Sequence, residues 1–187
     1  YPRKFDRDRL TASLRTMHTD VSRHRFKTTA PGKVEPISRF LKLDPAGVCN
    51  TLRAGTDSAR GAFTSPRPIH PRYYRVITVR EAARLHSYPD WFRFHATKWH
   101  GFREVGNSVP PLLARAVAGE VVKALGVKPT RPTKRMDTGD EGLLRLNMVA
   151  AAKIFNVSSR VIAQRTRSLA QTQATVDRNS ELCLAAR

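Results

Sequence analysis

Residues 75–111 constrain this chain more than any other stretch. They read Arg-Val-Ile-Thr-Val-Arg-Glu-Ala-Ala-Arg-Leu-His-Ser-Tyr-Pro-Asp-Trp-Phe and, after a short gap, Arg-Glu-Val-Gly-Asn-Ser-Val-Pro-Pro. Thr78-Val79-Arg80-Glu81 has the form of a capping box, in which the threonine hydroxyl and the glutamate carboxylate each accept from the other residue's amide. A helix is therefore expected from Thr78, with Pro89 ending it. The aromatic and β-branched run 73–77 predicts a short strand before it. Gly106-Asn107-Ser108 predicts a turn. Pro110 suits the first turn of the next helix, where a missing N–H costs nothing. That helix is expected to reach Leu125, with Gly126 as its stop. Leu113, Val117, Val121 and Ala124 would share one of its faces.

The flanks are less regular. Residues 1–44 are basic and mixed in pattern, and one helix is expected near residues 8–18. Residues 45–72 are rich in turn formers and predict irregular connections between short strands. Residues 127–142, with Pro, Gly and Thr among mixed charges, read as a linker. Residues 143–187 read as a helical extension, with two short helices before position 168. Asn156 suits a left-handed turn between them, and Ser158 suits the cap of the second. Arg160, Gln164, Arg165 and Arg167 would then face outward. Two readings stay open: a helix-turn-helix with its second helix in a major groove, or an ordinary helical hairpin packed on protein.

Charge narrows the partner. Lys and Arg number 34 against 15 Asp and Glu, a net +19. Phosphate backbones match such an excess, because each neutralised phosphate releases counterions. Double-stranded DNA is the partner the motifs below imply. Cys49 and Cys183 stand alone, with no CxxC. A reducing, intracellular compartment follows as the expectation, cytoplasm or nucleoid in a bacterium. No apolar run approaches the roughly 18 residues of a membrane span, so no membrane partner is expected.

The stretch 75–111 resembles the last two motifs of the DNA (cytosine-5)-methyltransferases, in order and spacing. Arg75, Thr78, Arg80, Glu81, Ala83, Arg84, Tyr88, Pro89 and Asp90 match the ninth motif, and residues 106–111 match the tenth. The resemblance implies that the ninth motif packs a target-recognition region against a catalytic domain. It implies that the Gly-Asn turn lies beside the methionine moiety of S-adenosylmethionine, making Asn107 and Ser108 the cofactor-binding candidates. A simple helix cap is the other reading of that pair. Upstream, Thr51-Leu52 resembles the Thr-Leu pair of the recognition region, which implies that Thr51 meets the phosphate next to a flipped cytosine. Arg53, Arg60, Arg67 and Arg72 lie in loops, where arginine serves as phosphate partner or reader of guanine edges. Arg75 and Arg80 complete the DNA-binding candidates, as structural or phosphate-facing residues. One position departs from the family: Glu104 stands where Gln is usual, which removes two donors.

The chemistry itself needs more. In the resembled family a cysteine thiolate attacks C6 of an extruded cytosine while a glutamate holds N3. This chain has no Pro-Cys loop, no Phe-x-Gly-x-Gly cofactor turn and no Glu-Asn-Val. Cys49, in Ala-Gly-Val-Cys-Asn, reads as a small buried residue rather than a nucleophile. No catalytic residue is expected here; if the chain is a fragment of a longer enzyme, the catalytic loop is expected upstream of Tyr1. His95 and His100 offer too few ligands for a metal. Trp91, Phe92, Phe94, Trp99 and Phe102 read as a local core.

The expected fold is α+β. Residues 1–72 would form part of a small irregular recognition region with short strands, and residues 73–126 the two motifs. The linker and extension follow, and the helices would return to a Rossmann-like methyltransferase domain absent from this chain. The expected function is the DNA-reading and cofactor-closing segment of such an enzyme, inactive alone. It would share S-adenosylmethionine with an N-terminal half. The alternatives are a non-catalytic subunit, paired with a separate chain carrying the catalytic motifs, or a stand-alone DNA-binding remnant.

Overall fold

The computed structural model describes residues 3–4, 10–54, 67–131 and 133–158. The chain divides into two compact units, Tyr1–Arg145 and Leu146–Arg187. In the first, the elements are β1 (Arg3–Lys4), α1 (Asp20–Thr28), α2 (Val79–Leu85), α3 (Lys98–Asn107), α4 (Pro111–Ala124) and β2 (Met136–Asp137), then a 3-10 turn at Glu141–Arg145. β1 and β2 pair in parallel, with Arg3 opposite Met136. Isolated bridges join Val34 to Leu41, Lys42 to Ile69 and Ile69 to Val76. The α+β expectation is corrected here: among the described residues the fold is mostly helical, with two-residue strands and single bridges.

The first helix is not where the sequence predicts it. Residues 10–19 are non-helical, and α1 begins at Asp20, where the Thr19 hydroxyl accepts from the Ser22 amide at 3.4 Å. Asp20 in the first turn and Arg25 and Lys27 in the last suit the helix dipole. The far end is closed by a distant residue. The buried Lys42 ammonium donates to the carbonyls of Phe26 at 3.0 Å, Lys27 at 3.4 Å and Thr29 at 2.8 Å. Those are the carbonyls a helix end leaves unpaired. Phe26 packs with Ile69 and Val76 in a small core.

The strand predicted at 73–77 does not form, apart from the single bridge at Val76. The amides of Arg72 and Tyr73 both donate to His70 Nδ1 at 3.0 Å. A tight bend therefore uses the donors a ladder would need.

α2 follows the predicted capping box. Glu81 Oε2 accepts from the Thr78 amide at 2.7 Å, and Thr78 Oγ1 accepts from the Glu81 amide at 3.2 Å. The helix stops at Leu85, ahead of Pro89. Ser87 has φ 60, and the Tyr88 amide donates back to the Ala83 carbonyl at 2.8 Å, which closes the helix end. α3 is a helix the sequence reading did not place. Its Phe102 and Val105 share a core with Val79, Ala82 and Ala83 of α2 and with Leu43, Leu52, Ile77 and Phe94. Of the five aromatics expected in a local core, Phe94 and Phe102 are buried, while Trp91 and Trp99 are half-buried and Phe92 is exposed.

α4 matches its prediction within a residue, with Leu125 as cap and Gly126 at φ 65 behind it. Yet none of its residues is buried. Leu113, Val117 and Val121 are 55%, 56% and 52% exposed.

In the second unit, α5 (Met148–Ile154) is capped by Asn147, whose side chain accepts from the Ala150 amide at 2.8 Å. Asn156 takes the expected left-handed turn, with φ 51. The second helix of the expected hairpin falls largely on residues outside those described. Among the described residues, no helix is long and apolar enough to cross a membrane.

Candidate functional site

The structure brings two of the sequence motifs together at one point. Gly106, at the end of α3, lies against the backbone of Arg53 and Ala54. A Cβ at Gly106 would collide with the Arg53 carbonyl and the Ala54 amide nitrogen. Only glycine permits that approach. Leu52 is buried in the shared core, so its neighbours Thr51 and Arg53 are left exposed. The Thr-Leu segment and the Gly-Asn segment thus form one surface.

Asn107 is exposed at this junction, and among the described residues its carboxamide has no hydrogen-bond partner. Ser108 is engaged inside the fold. Its hydroxyl donates to the Val105 carbonyl at 2.7 Å and lies 3.4 Å from His86 Nδ1. It stands at the C-terminal cap of α3. Gly106 and Asn107 are helical, so the predicted turn begins only at Ser108. The start of α4 is held from α2's end, where Ser87 Oγ accepts from the Leu112 amide at 3.1 Å. His86 and Ser87 are positioning residues that sequence reasoning missed. Their only signal was a polar pair just before the Tyr-Pro stop.

The candidate arginines separate by environment. Arg80 is 1% exposed. Its guanidinium donates to Thr11 O at 3.0 Å, Thr11 Oγ1 at 3.2 Å, Pro89 O at 3.3 Å and Phe92 O. Its backbone amide donates to Ala12 O at 3.0 Å. It clasps the 10–18 segment to α2 and has no surface left for a phosphate. Arg75 makes a two-pronged pair with Glu81, both bonds 2.8 Å, and also donates to Val76 O. Burial pushes the Glu81 carboxyl up. The Arg75 fork, the Thr78 amide and the nearby charges outweigh burial and hold it at about 2. Arg75 and Arg80 are therefore both engaged within the fold.

Arg67 is half-buried, with its guanidinium 6.0 Å from the Phe102 ring centroid, and burial lowers its pKa. Arg53 and Arg72 are exposed. Arg60 lies outside the described residues. Glu104, the departure from the resembled family, accepts from the His95 amide at 2.9 Å. A glutamine oxygen would do the same, so the exchange keeps this loop contact. Cys49 is half-buried, and burial pushes its thiol up, away from the thiolate a nucleophile needs. Cys183 lies outside the described residues. The His95 and His100 rings are 4.6 Å apart, and His95 Nδ1 accepts from the Thr97 amide at 3.0 Å.

Comparison with known proteins places the chain in a family. A type II methyltransferase of Xanthomonas oryzae, M.XorII, is 66% identical over 167 residues, spanning 89% of this chain and 39% of that protein. M.AgeI of Thalassovita gelatinovora is 47% identical over 101 residues, 50% of this chain and 24% of that one. A solved structure described as a prophage-encoded DNA modification methyltransferase of E. coli is 42% identical, with a TM-score of 0.54. It covers 63% of this chain and 30% of its own. The chain thus spans about two fifths of the length of the Xanthomonas relative, and less of the others. The model of the C-5 cytosine-specific DNA methylases matches residues 7–123, and the chain belongs to that family.

Proposed function

We propose that this chain is the DNA-recognition and cofactor-closing part of a DNA (cytosine-5)-methyltransferase, and that methyl transfer needs catalytic residues supplied elsewhere. The observation that carries the reading is the packing of Gly106 on the Arg53–Ala54 backbone. It sets an exposed Thr51 and Arg53 beside an exposed Asn107. A DNA-facing and a cofactor-facing segment are then held in one rigid piece. S-adenosylmethionine, when bound, supplies the methyl group. Asn107 suits a place beside it, because its amide is exposed and unengaged. Ser108 suits only the support of that turn.

The apolar face of α4 supports the same reading. A helix of 14 residues with none buried leaves Leu113, Val117 and Val121 in water. Such a stripe normally faces a core. The remainder of a methyltransferase would cover it, whether in the same polypeptide or in a separate chain. DNA contacts fall to Thr51, Arg53 and Arg72.

Duplex binding by the full chain, measured by fluorescence anisotropy over a range of salt, tests the reading. Log affinity should fall steeply against log salt, with a slope of about −3 or steeper if several phosphates are neutralised. Absent or salt-insensitive binding would rule it out.

A further inference from the structure

Arg72 also lines a basic recess. The 10–18 segment, α1 and the 72–75 bend enclose a recess of about 430 Å³. That volume falls in the ~300–1,000 Å³ range of small-ligand clefts. Among the described residues, four arginines line it, Arg15, Arg23, Arg72 and Arg75, with Tyr73 and Tyr74 and no carboxylate.

The arginines differ in what they have left to offer. Arg75 is engaged by Glu81, and Arg23 lies 3.3 Å from Asp20. Arg15 and Arg72 are exposed, and no acid among the described residues pairs with either. The wall that carries Arg15 is fixed from behind. The Lys98 ammonium donates to the Arg15 carbonyl at 3.3 Å, and the buried Arg80 holds Thr11. His18 adds to this wall. Its Nε2 accepts from the Val76 amide at 3.3 Å, and its ring meets Phe26 edge-on at 5.0 Å. Burial first, then the charges of Lys98, Arg67 and Arg75, lower its pKa and favour the neutral ring. Tyr73 and Tyr74 are 58% and 42% exposed, and Tyr73 is backed by the His70 ring at 4.6 Å.

Two unpaired guanidinium groups on a fixed frame, beside exposed aromatic rings, match a phosphodiester next to an unstacked base. We propose that this recess holds one nucleotide of a DNA strand, its phosphate at Arg15 and Arg72 and its base against Tyr74. The proposal rests on the DNA-binding reading above and extends it from Arg72 to Arg15 and Tyr74, which that reading leaves without a role.

The test uses the full chain and a fluorescent single-stranded oligonucleotide across a salt series. Replacing both arginines, Arg15→Gln with Arg72→Gln, should reduce the slope of log affinity against log salt by about 0.7, the value of one phosphate contact on a single strand. Arg15→Lys with Arg72→Lys should restore it. Tyr74→Leu should weaken binding by about ten-fold and leave the slope unchanged, as lost stacking does. If the wild-type chain binds and the double Gln variant keeps its affinity and slope, the recess is not a phosphate site and only this proposal falls. Unchanged affinity in Tyr74→Leu would overturn the base contact. No binding by the wild-type chain would instead overturn the DNA-binding reading itself.

Discussion

Gly106 rests directly on the carbonyl of Arg53, so two segments 53 positions apart meet with no side chain between them. The contact ties the exposed Thr51 and Arg53 to the end of α3. Gly106→Ala should force the two backbones apart and destabilise the fold by about 1–3 kcal/mol or more, the range for overpacking. Gly119, inside α4, is the internal control. A Cβ there meets nothing within 4 Å, so Gly119→Ala should stabilise by about 0.5–1 kcal/mol. Urea unfolding of the two variants should move in opposite directions. Equal shifts would contradict the close contact.

Arg80 should matter to the fold and not to DNA. Arg80→Met leaves the carbonyls of Thr11, Pro89 and Phe92 without their buried donor. The loss should be about 3 kcal/mol, within the range for breaking such a network. Thermal unfolding should show it. The salt slope of DNA binding, measured well below the unfolding temperature, should stay at the wild-type value. A drop of about 1 in that slope would return Arg80 to the DNA surface.

The Arg75–Glu81 pair sets an acid limit. Glu81 has a folded pKa of about 2 against an ordinary 4.5. A depressed carboxylate contributes stability that is fully present above its unfolded pKa. That contribution is lost as pH falls from about 4.5 through 2, and it amounts to roughly 3 kcal/mol. Glu81→Gln keeps an oxygen for the Thr78 amide and loses the ion pair. Urea midpoints of wild type and Glu81→Gln should differ at pH 6 and converge below pH 2. A constant gap across that window would show that the charge of Glu81 contributes nothing.

What the sequence revealed was local. The capping box at Thr78 and Glu81 is a four-residue pattern that needs no distant partner, and it forms as read. So does the Gly126 stop behind α4. The misreadings came where distant contacts decide. Residues 10–18 look helical in part, yet Arg80 holds the Thr11 and Ala12 carbonyls, and Ala12 takes a φ of 62 that a right-handed helix does not contain. Residues 73–77 have the composition of a strand, but the His70 ring takes two of the nearby amides. α3 was hidden by two glycines and its aromatics, which weaken helix propensity. The signal was there in Trp99, Phe102 and Val105, three residues apart along one face. At the site, the family of the chain was legible from its two motifs. The distinction between a buried Arg80 and an exposed Arg72 was not, since both are arginines near a turn.

The central claim is that this chain supplies recognition and cofactor closure to a methyltransferase whose catalytic residues lie elsewhere. Its most direct test is methyl transfer from labelled S-adenosylmethionine to duplex DNA, assayed with this chain alone, with the part of the Xanthomonas relative outside the matched region alone, and with both mixed. The account predicts labelled 5-methylcytosine only in the mixture, with Asn107→Ala weakening cofactor affinity more than DNA affinity. Methylation by this chain alone, or none in a mixture shown to associate, would contradict it.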